Sequence, residues 1–317
     1  MTVTPAAPPQ SVTVRVPAKV NVQLAVGGRR PDGFHDLANV FFAVALGDEV
    51  TATPADTLRI TVSGPDADQV PLDGSNLAAR AARLLAHRHG RTPDVHLHIA
   101  KDIPVAGGMA GGSADAAAAL VACDALWGTA TPLDVLLDLA AELGSDVPFA
   151  LLGGAALGRG RGEILEPLPV GADVHWVFAV ADGGLSTPAV FRECDRLRDE
   201  AGTGSDTDAV PDPQPDPALL DALAAGDTAA LAAALTNDLQ AAALSLRPAL
   251  ADTLRAGADG GALGSLVSGS GPTCAFLAKD AESAAAVADA LAASGTCRAV
   301  RVTHGPVPGA HITAVVR

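Results

Sequence analysis

Apolar and polar positions alternate from the start of the chain. Val12, Val14 and Val16 share one face of SVTVRVP (11–17), the pattern of a half-buried strand. VNVQLAV follows, then the turn-rich run GGRRPDG, then a second apolar stretch, ANVFFAVAL. Another strand is expected around 60–62, and VHLHIA (95–100) alternates as a strand does. Asn76 is placed to cap a helix that runs through Leu84 and Leu85 to about Gly90. A glycine cluster at 107–112 opens into an alanine-rich helix ending near Trp127. Thr131 as cap and Pro132 in the first turn predict a further helix, which Gly144 ends. Short extended pieces after Gly153 and Gly154 lead to a strong strand, VHWVFAVA (174–181). Residues 199–217 hold six acids, four prolines and no basic residue, and predict a mobile acidic loop. Alanine-rich helices are expected over 218–257, and the last sixty residues read strand, strand, helix, strand (263–267, 273–278, 281–293, 298–303). The whole is α+β without an internal repeat. Glycine and proline concentrate at 160–172, and a boundary there divides 1–165 from 166–317.

Composition narrows the class. Hydrophobic residues make up 49% of the 317 and charged residues 18%, which excludes a disordered chain. No apolar run reaches the ~18 residues of a spanning helix. Residues 1–11 lack the cationic-then-apolar layout of a leader, so a cytoplasmic protein is expected. Cys123, Cys194, Cys274 and Cys297 show no C-x-x-C spacing and read as reduced core thiols. His96 and His98 share a strand face, but without a third ligand they read as surface residues.

A net charge of −15 weighs against nucleic acid and anionic membrane as partners. A polyanionic small molecule would need a positive field built locally. Of 21 basic residues only Lys19, Lys101 and Lys279 are lysines, so each stands out. Lys101 and Lys279, taken alone, also fit solvated surface positions.

The glycine cluster is the central chemical feature. Pro104, Val105 and Ala106 lead into Gly107 and Gly108, then Met109 and Ala110, Gly111 and Gly112, Ser113 and Ala114. Four glycines in six residues let backbone N–H groups approach a ligand closely, and the following helix adds its N-terminal amides. Phosphate suits such a loop, although a tight turn under a packed helix would read the same way. Ser113 is placed either to cap the helix or to ligate a magnesium ion between phosphates. Neither a dinucleotide G-x-G-x-x-G nor a Walker loop fits, because Met109 and Ala110 interrupt the first and Ser113-Ala114 replaces the Lys-Ser/Thr of the second.

Three further segments join it: Pro17-Ala-Lys19-Val-Asn21, Gly144-Ser-Asp146-Val-Pro-Phe149 and Ser268-Gly-Ser-Gly-Pro-Thr273. Together they resemble the GHMP kinase superfamily. Gly28-Arg-Arg-Pro-Asp-Gly-Phe34-His35 resembles one branch of it, the 4-diphosphocytidyl-2-C-methyl-D-erythritol kinases. The resemblance spans about residues 12–306. It implies an N-terminal ATP-binding domain like domain 2 of ribosomal protein S5 and a ferredoxin-like C-terminal domain. It also implies ATP and Mg2+ as cofactors, and transfer of the γ-phosphoryl group to the 2-hydroxyl of a cytidine-diphosphate-linked methylerythritol.

By the same resemblance Asp146 is the base and Lys19 its cationic partner, with Asn21 close by. Phosphoryl transfer to an alcohol needs such a pair, one group to take or orient the hydroxyl proton and one to stabilise charge. Phe34 and His35 match the residues that hold cytosine, and Phe191 the aromatic on its other side, although Phe191 also fits simple packing. Asn76 and Lys101 match positions near the adenine. The chain departs from the family pattern at Phe34, where tyrosine is usual, and at Ala106, Met109, Ala110 and Ala114 in the loop. Another small-molecule kinase of the superfamily, and a non-catalytic nucleotide-binding protein on the same fold, are the competing readings.

Overall fold

The computed structural model describes residues 9–317; the first eight residues of the stretch read for a leader lie outside it. Two long strands dominate the first half. β1 (Ser11–Arg29) and β2 (His35–Pro54) pair antiparallel around the Arg-Pro-Asp-Gly turn. The sequence pattern breaks each into shorter pieces, but register shifts at Pro17/Ala18 and Asn21/Gln23 let one bent strand run through. From Val16 to Leu24 every residue of β1 is buried, on both faces, so alternation disappears there.

β3 (Arg59–Ser63), a single 3-10 turn at Ala67–Gln69, α1 (Leu77–Arg88) and β4 (Val95–Ala100) follow. Then come α2 (Gly111–Trp127), α3 (Leu133–Leu143), α4 (Val147–Leu152), β5 (Ala155–Arg159) and β6 (Ile164–Pro167). Asn76 caps α1 as expected, its Oδ1 accepting from Ala78 N–H at 2.8 Å. Thr131 does not cap α3. Its hydroxyl pairs with His89 Nε2 at 2.9 Å, and the helix starts after Pro132 without a side-chain cap. Alanines of α2 are buried on all sides between α1, α3, α4 and the sheet, which is why its sequence lacks an amphipathic stripe.

The second half comprises β7 (Val174–Val180), α5 (Thr187–Glu200), α6 (Pro217–Ala225), α7 (Thr228–Ala234), the short β8 (Thr236–Asn237), α8 (Gln240–Leu246) and α9 (Leu250–Asp259). β9 (Gly264–Val267), β10 (Cys274–Ala278), α10 (Ala281–Ser294), β11 (Ala299–Gly305) and β12 (His311–Val316) complete it. Four strands form an antiparallel sheet in the order β11-β7-β10-β9, the ferredoxin-like arrangement. The other sheet runs β12-β1-β2-β4-β3, with β5 on β2 and β6 on β5. A division after residue 165 therefore leaves β8 and β12 paired with β1 across it. β12 is absent from the sequence reading because every residue of this edge strand is exposed, so burial imposes no pattern on it.

Residues 199–217 are not a free loop. Arg29 N–H donates to Ser205 O at 2.7 Å, Asp216 N–H to Gln23 Oε1 at 2.9 Å, and Gln23 Nε2 to Gln214 O at 2.9 Å. The Gln23 side chain and the Arg29 backbone of β1 thus receive the acidic segment, a non-local partner that local composition does not reveal. All four cysteines are free, three of them buried. His96 and His98 bond Thr61 and Ser63, and among the described residues no group of three His, Cys, Asp or Glu forms a metal cluster. No helix among the described residues is long and apolar enough to cross a membrane.

Candidate active site

A cavity of about 900 Å³ opens where the two halves meet, walled by β1, the glycine loop, the start of α2, the turn before α4, α5 and the 269–271 turn. At its inner end lies Lys19, carried by the buried middle of β1. Its Nζ donates to Asn21 Oδ1 at 2.6 Å and to Gly108 O at 2.9 Å, and stands 3.9 Å from Asp146 Oδ2. Asn21 Nδ2 in turn donates to Asn39 Oδ1 on β2 at 2.7 Å. Burial pulls the Lys19 pKa below the ordinary lysine range, and the Asp146 carboxylate works against that pull. Asp146 occupies the position before α4, yet its side chain makes no bond to that helix end. The carboxylate, about a third exposed, faces the cavity instead.

Backbone geometry explains the glycine loop. Gly108 has φ +76°, and a Cβ there would lie 2.2 Å from Ser268 O, so only glycine fits. Its own carbonyl accepts from Lys19 Nζ and, at 3.2 Å, from Ser268 Oγ, tying the loop to both halves. Ala106 and Ala110 also adopt left-handed conformations, at φ 54° and 61°. Ala110 gives α2 no side-chain cap, so the amides of Gly111, Gly112 and Ser113 begin the helix unpaired by any side chain and line the cavity. Ser113 therefore sits in the first turn and is not the cap.

The sequence-derived residues do not all reach this cavity. Pro104, Met109 and Ala114 are buried beneath the loop, and Val105 spends its N–H on Asp66 Oδ2. Asn76 is buried at the α1 cap, with Nδ2 donating to Pro71 O. Lys101 lies outside the cavity, its ammonium enclosed by Asp48 and, at 2.9 Å, Asp115. Burial works against that ammonium, but Asp115 and Asp48 together hold it above the ordinary lysine range. Asp115, also buried, is pushed upward in pKa. This triad braces the first turns of α2 from below: a Cβ at Gly111 would come 3.1 Å from Lys101 Nζ. Lys101 thus supports the loop from outside the cavity, and the Asn76 side chain serves the start of α1.

The outer end carries Phe34, His35 and Phe191. Phe34 is 53% exposed, with the Arg161 guanidinium 5.6 Å over its ring. His35 is buried, its ring centroid 5.0 Å from that of Phe191. Arg29, Arg161, Arg192 and Lys19 line the cavity against only Asp146 and Asp195. Here is the local positive field that an acidic chain needs for an anionic ligand.

The family model for the GHMP kinases N terminal domain matches residues 76–154, and that for the GHMP kinases C terminal domain matches residues 219–297. The chain is 71% identical to the 4-diphosphocytidyl-2-C-methyl-D-erythritol kinase of Streptomyces avermitilis over 95% of its length and 99% of the relative's. It is 57% identical to the enzyme of that name from Mycobacterium tuberculosis, covering 97% and 94%. The chain belongs to the 4-diphosphocytidyl-2-C-methyl-D-erythritol kinase family of GHMP kinases.

A crystal structure of 4-(cytidine 5'-diphospho)-2C-methyl-D-erythritol kinase superposes with a TM-score of 0.73 at 34% identity, over 92% of this chain and 99% of the other. The homoserine kinase of Cytophaga hutchinsonii, at 22% identity and a TM-score of 0.74 over 98% and 100%, shares the fold. Membership makes this GHMP kinase an ATP-using enzyme. Within it, Asp195, Arg161, Arg192 and Asn39 line the cavity although no sequence motif flagged them. Asp195 lies one helical turn beyond Phe191 on α5, and that i, i+4 spacing was the only local signal available.

Proposed function

We propose that this kinase transfers the γ-phosphoryl group of ATP to the 2-hydroxyl of 4-diphosphocytidyl-2-C-methyl-D-erythritol, with the hydroxyl placed between Lys19 and Asp146. The observation that carries this reading is the single cavity wall joining a phosphate-type loop, a Lys–Asp pair 3.9 Å apart and an aromatic pocket at the far end. ATP phosphates lie against the free amides at the start of α2 and the glycine loop. Asp146 accepts or orients the hydroxyl proton, and because its side chain makes no cap bond to α4 the carboxylate stays available. Lys19 holds positive charge beside the reacting oxygen and, through Gly108 O, fixes the loop relative to that oxygen.

Magnesium fits this donor set in a limited way. Ser113 offers a hard oxygen on the cavity wall, and among the described residues no all-protein cage competes for the ion. Ser113 would hold the ion together with the phosphates, and the ion's contribution is to neutralise phosphate charge. Phe34 and Phe191 offer apolar faces for the cytosine, His35 an edge that hydrogen-bonds, and Arg29, Arg161 and Arg192 charge for the diphosphate between base and sugar alcohol. The removal of a phenolic hydroxyl by Phe34 leaves stacking intact.

A substrate panel tests the reading. Incubated with Mg-ATP, the enzyme should release ADP with 4-diphosphocytidyl-2-C-methyl-D-erythritol and not with homoserine or mevalonate. Turnover of either of the latter without the former would overturn it.

A further inference from the structure

His35 has a buried partner that the cytosine-pocket motif does not contain. Asp195, on α5 and 160 residues away in the chain, places Oδ1 2.9 Å from His35 Nε2. Both residues are buried, with 7% of His35 and 5% of Asp195 exposed. The other carboxylate oxygen lies 4.0 Å from Arg29 Nε, and both residues line the cavity. Phe191, one turn earlier on the same face of α5, packs against the His35 ring. One helix therefore fixes the ring by a tilted aromatic contact and by a hydrogen bond at once.

A carboxylate has no proton to give, so the hydrogen of this bond belongs to the histidine ring. A neutral ring protonated on Nε2 has a lone pair on Nδ1. Among the described residues no protein group bonds Nδ1, and it is not among the buried atoms left without a partner. That nitrogen is thus an acceptor open to whatever enters beside Phe34 and Phe191. Cytosine presents its exocyclic amine as a donor; uracil presents a carbonyl at the same place. An acceptor facing the amine makes a bond, and an acceptor facing the carbonyl makes none.

We propose that Asp195 is a positioning residue that holds the His35 proton on Nε2 and thereby makes the pocket select an amine-bearing pyrimidine over its carbonyl counterpart. The proposal rests on the reading of the Phe34–His35–Phe191 pocket as the base site. It adds that the discrimination originates in a buried carboxylate that acts on the base through His35.

The test is calorimetric titration of the full chain with cytidine 5'-diphosphate and with uridine 5'-diphosphate, the ATP site being filled by a non-hydrolysable ATP analogue. The wild type should bind the cytidine compound roughly 5- to 150-fold more tightly, the range for one unmatched polar group. Asp195→Leu should bring the two affinities within about threefold, Asp195→Glu should restore the preference, and affinity for the ATP analogue should not change. A full cytidine preference in a folded Asp195→Leu overturns the proposal while leaving the base site in place. Failure of the wild type to bind either diphosphate removes the base site itself, and the proposal with it. If Asp195→Leu does not fold, nitrogen NMR of the wild-type His35 ring decides. An Nε2–H signature supports the assignment, and an Nδ1–H or doubly protonated ring overturns it.

Discussion

Enclosed by β1 and held by Asn21, Gly108 and Asp146, Lys19 gives up its proton more easily than a solvated lysine. The sign of the consequence is fixed. If the ammonium is the working form, kcat/KM, which reports the free enzyme, should fall on the alkaline side at a pH below 10.5, the ordinary lysine value, as the amine loses its charge. A pH–rate profile that stays flat through pH 10.5 would show that the charge on Lys19 is dispensable. Asp146→Asn removes the proton acceptor but keeps shape, and kcat should drop by ~10²–10⁴ with ATP affinity nearly unchanged in calorimetry. Phe34→Ala acts at the other end. Loss of one base stack, ~1–3 kcal/mol, should raise the substrate Kd roughly 5- to 150-fold and leave the ATP Kd alone. Lys19 and Asp146 could be singled out from sequence because lysine is so rare here and because each sits in a short motif with the right neighbours. Asp195 could not: its partner lies 160 residues away, and its spacing from Phe191 on α5 is the one local hint.

Among the elements, the glycine loop and α2 form one working unit. Gly108 touches Ser268 of the second half so closely that no side chain fits, and its carbonyl is bonded to Lys19 and Ser268. Gly108→Ala must therefore push the loop away from both. Weaker ATP binding by about tenfold or more in calorimetry, together with a lower kcat, is the expected result; unchanged values would mean that the loop does not set the phosphate position. The same loop shows where element reading stops. Glycines announce left-handed turns, but Ala106 and Ala110 adopt them too. The local pattern identifies Asn76 as a helix cap, and its side chain is committed to Ala78 and Pro71, so it has no amide group left to face the cavity. Likewise the two acids that enclose Lys101 come from β2 and α2, a meeting only the fold creates.

At the scale of the whole molecule, the halves are joined by polar bolts as well as by the cavity walls. Arg298, just before β11, donates to Asp66 Oδ1 at 2.9 Å and to Oδ2 at 2.6 Å, while Asp66 also receives the N–H of Val105 at the start of the loop. The guanidinium holds the Asp66 carboxyl below its ordinary 3.8, so the pair stabilises the fold above that pH and the contribution is lost as pH falls through the lower native value. Arg298→Gln should cost ~1–3 kcal/mol in urea unfolding at pH 7, with the difference from wild type shrinking in acid. An equal deficit at all pH values would place the effect elsewhere. The joining of the halves was the least legible part of the chain. Alternation and caps report on one element at a time, whereas the return of β12 to β1 and the strap at 199–217 depend on groups of β1 far away in the chain.

The central claim is that the cavity holds cytosine at one end and delivers a single alcohol oxygen to Lys19 and Asp146 at the other. It is tested most directly by phosphorus and carbon NMR of the product formed from Mg-ATP and 4-diphosphocytidyl-2-C-methyl-D-erythritol. One equivalent of ADP and a new phosphomonoester on the carbon-2 oxygen, absent with Asp146→Asn, is the predicted result. Phosphate on any other hydroxyl, or ADP release without a phosphorylated alcohol, would contradict it.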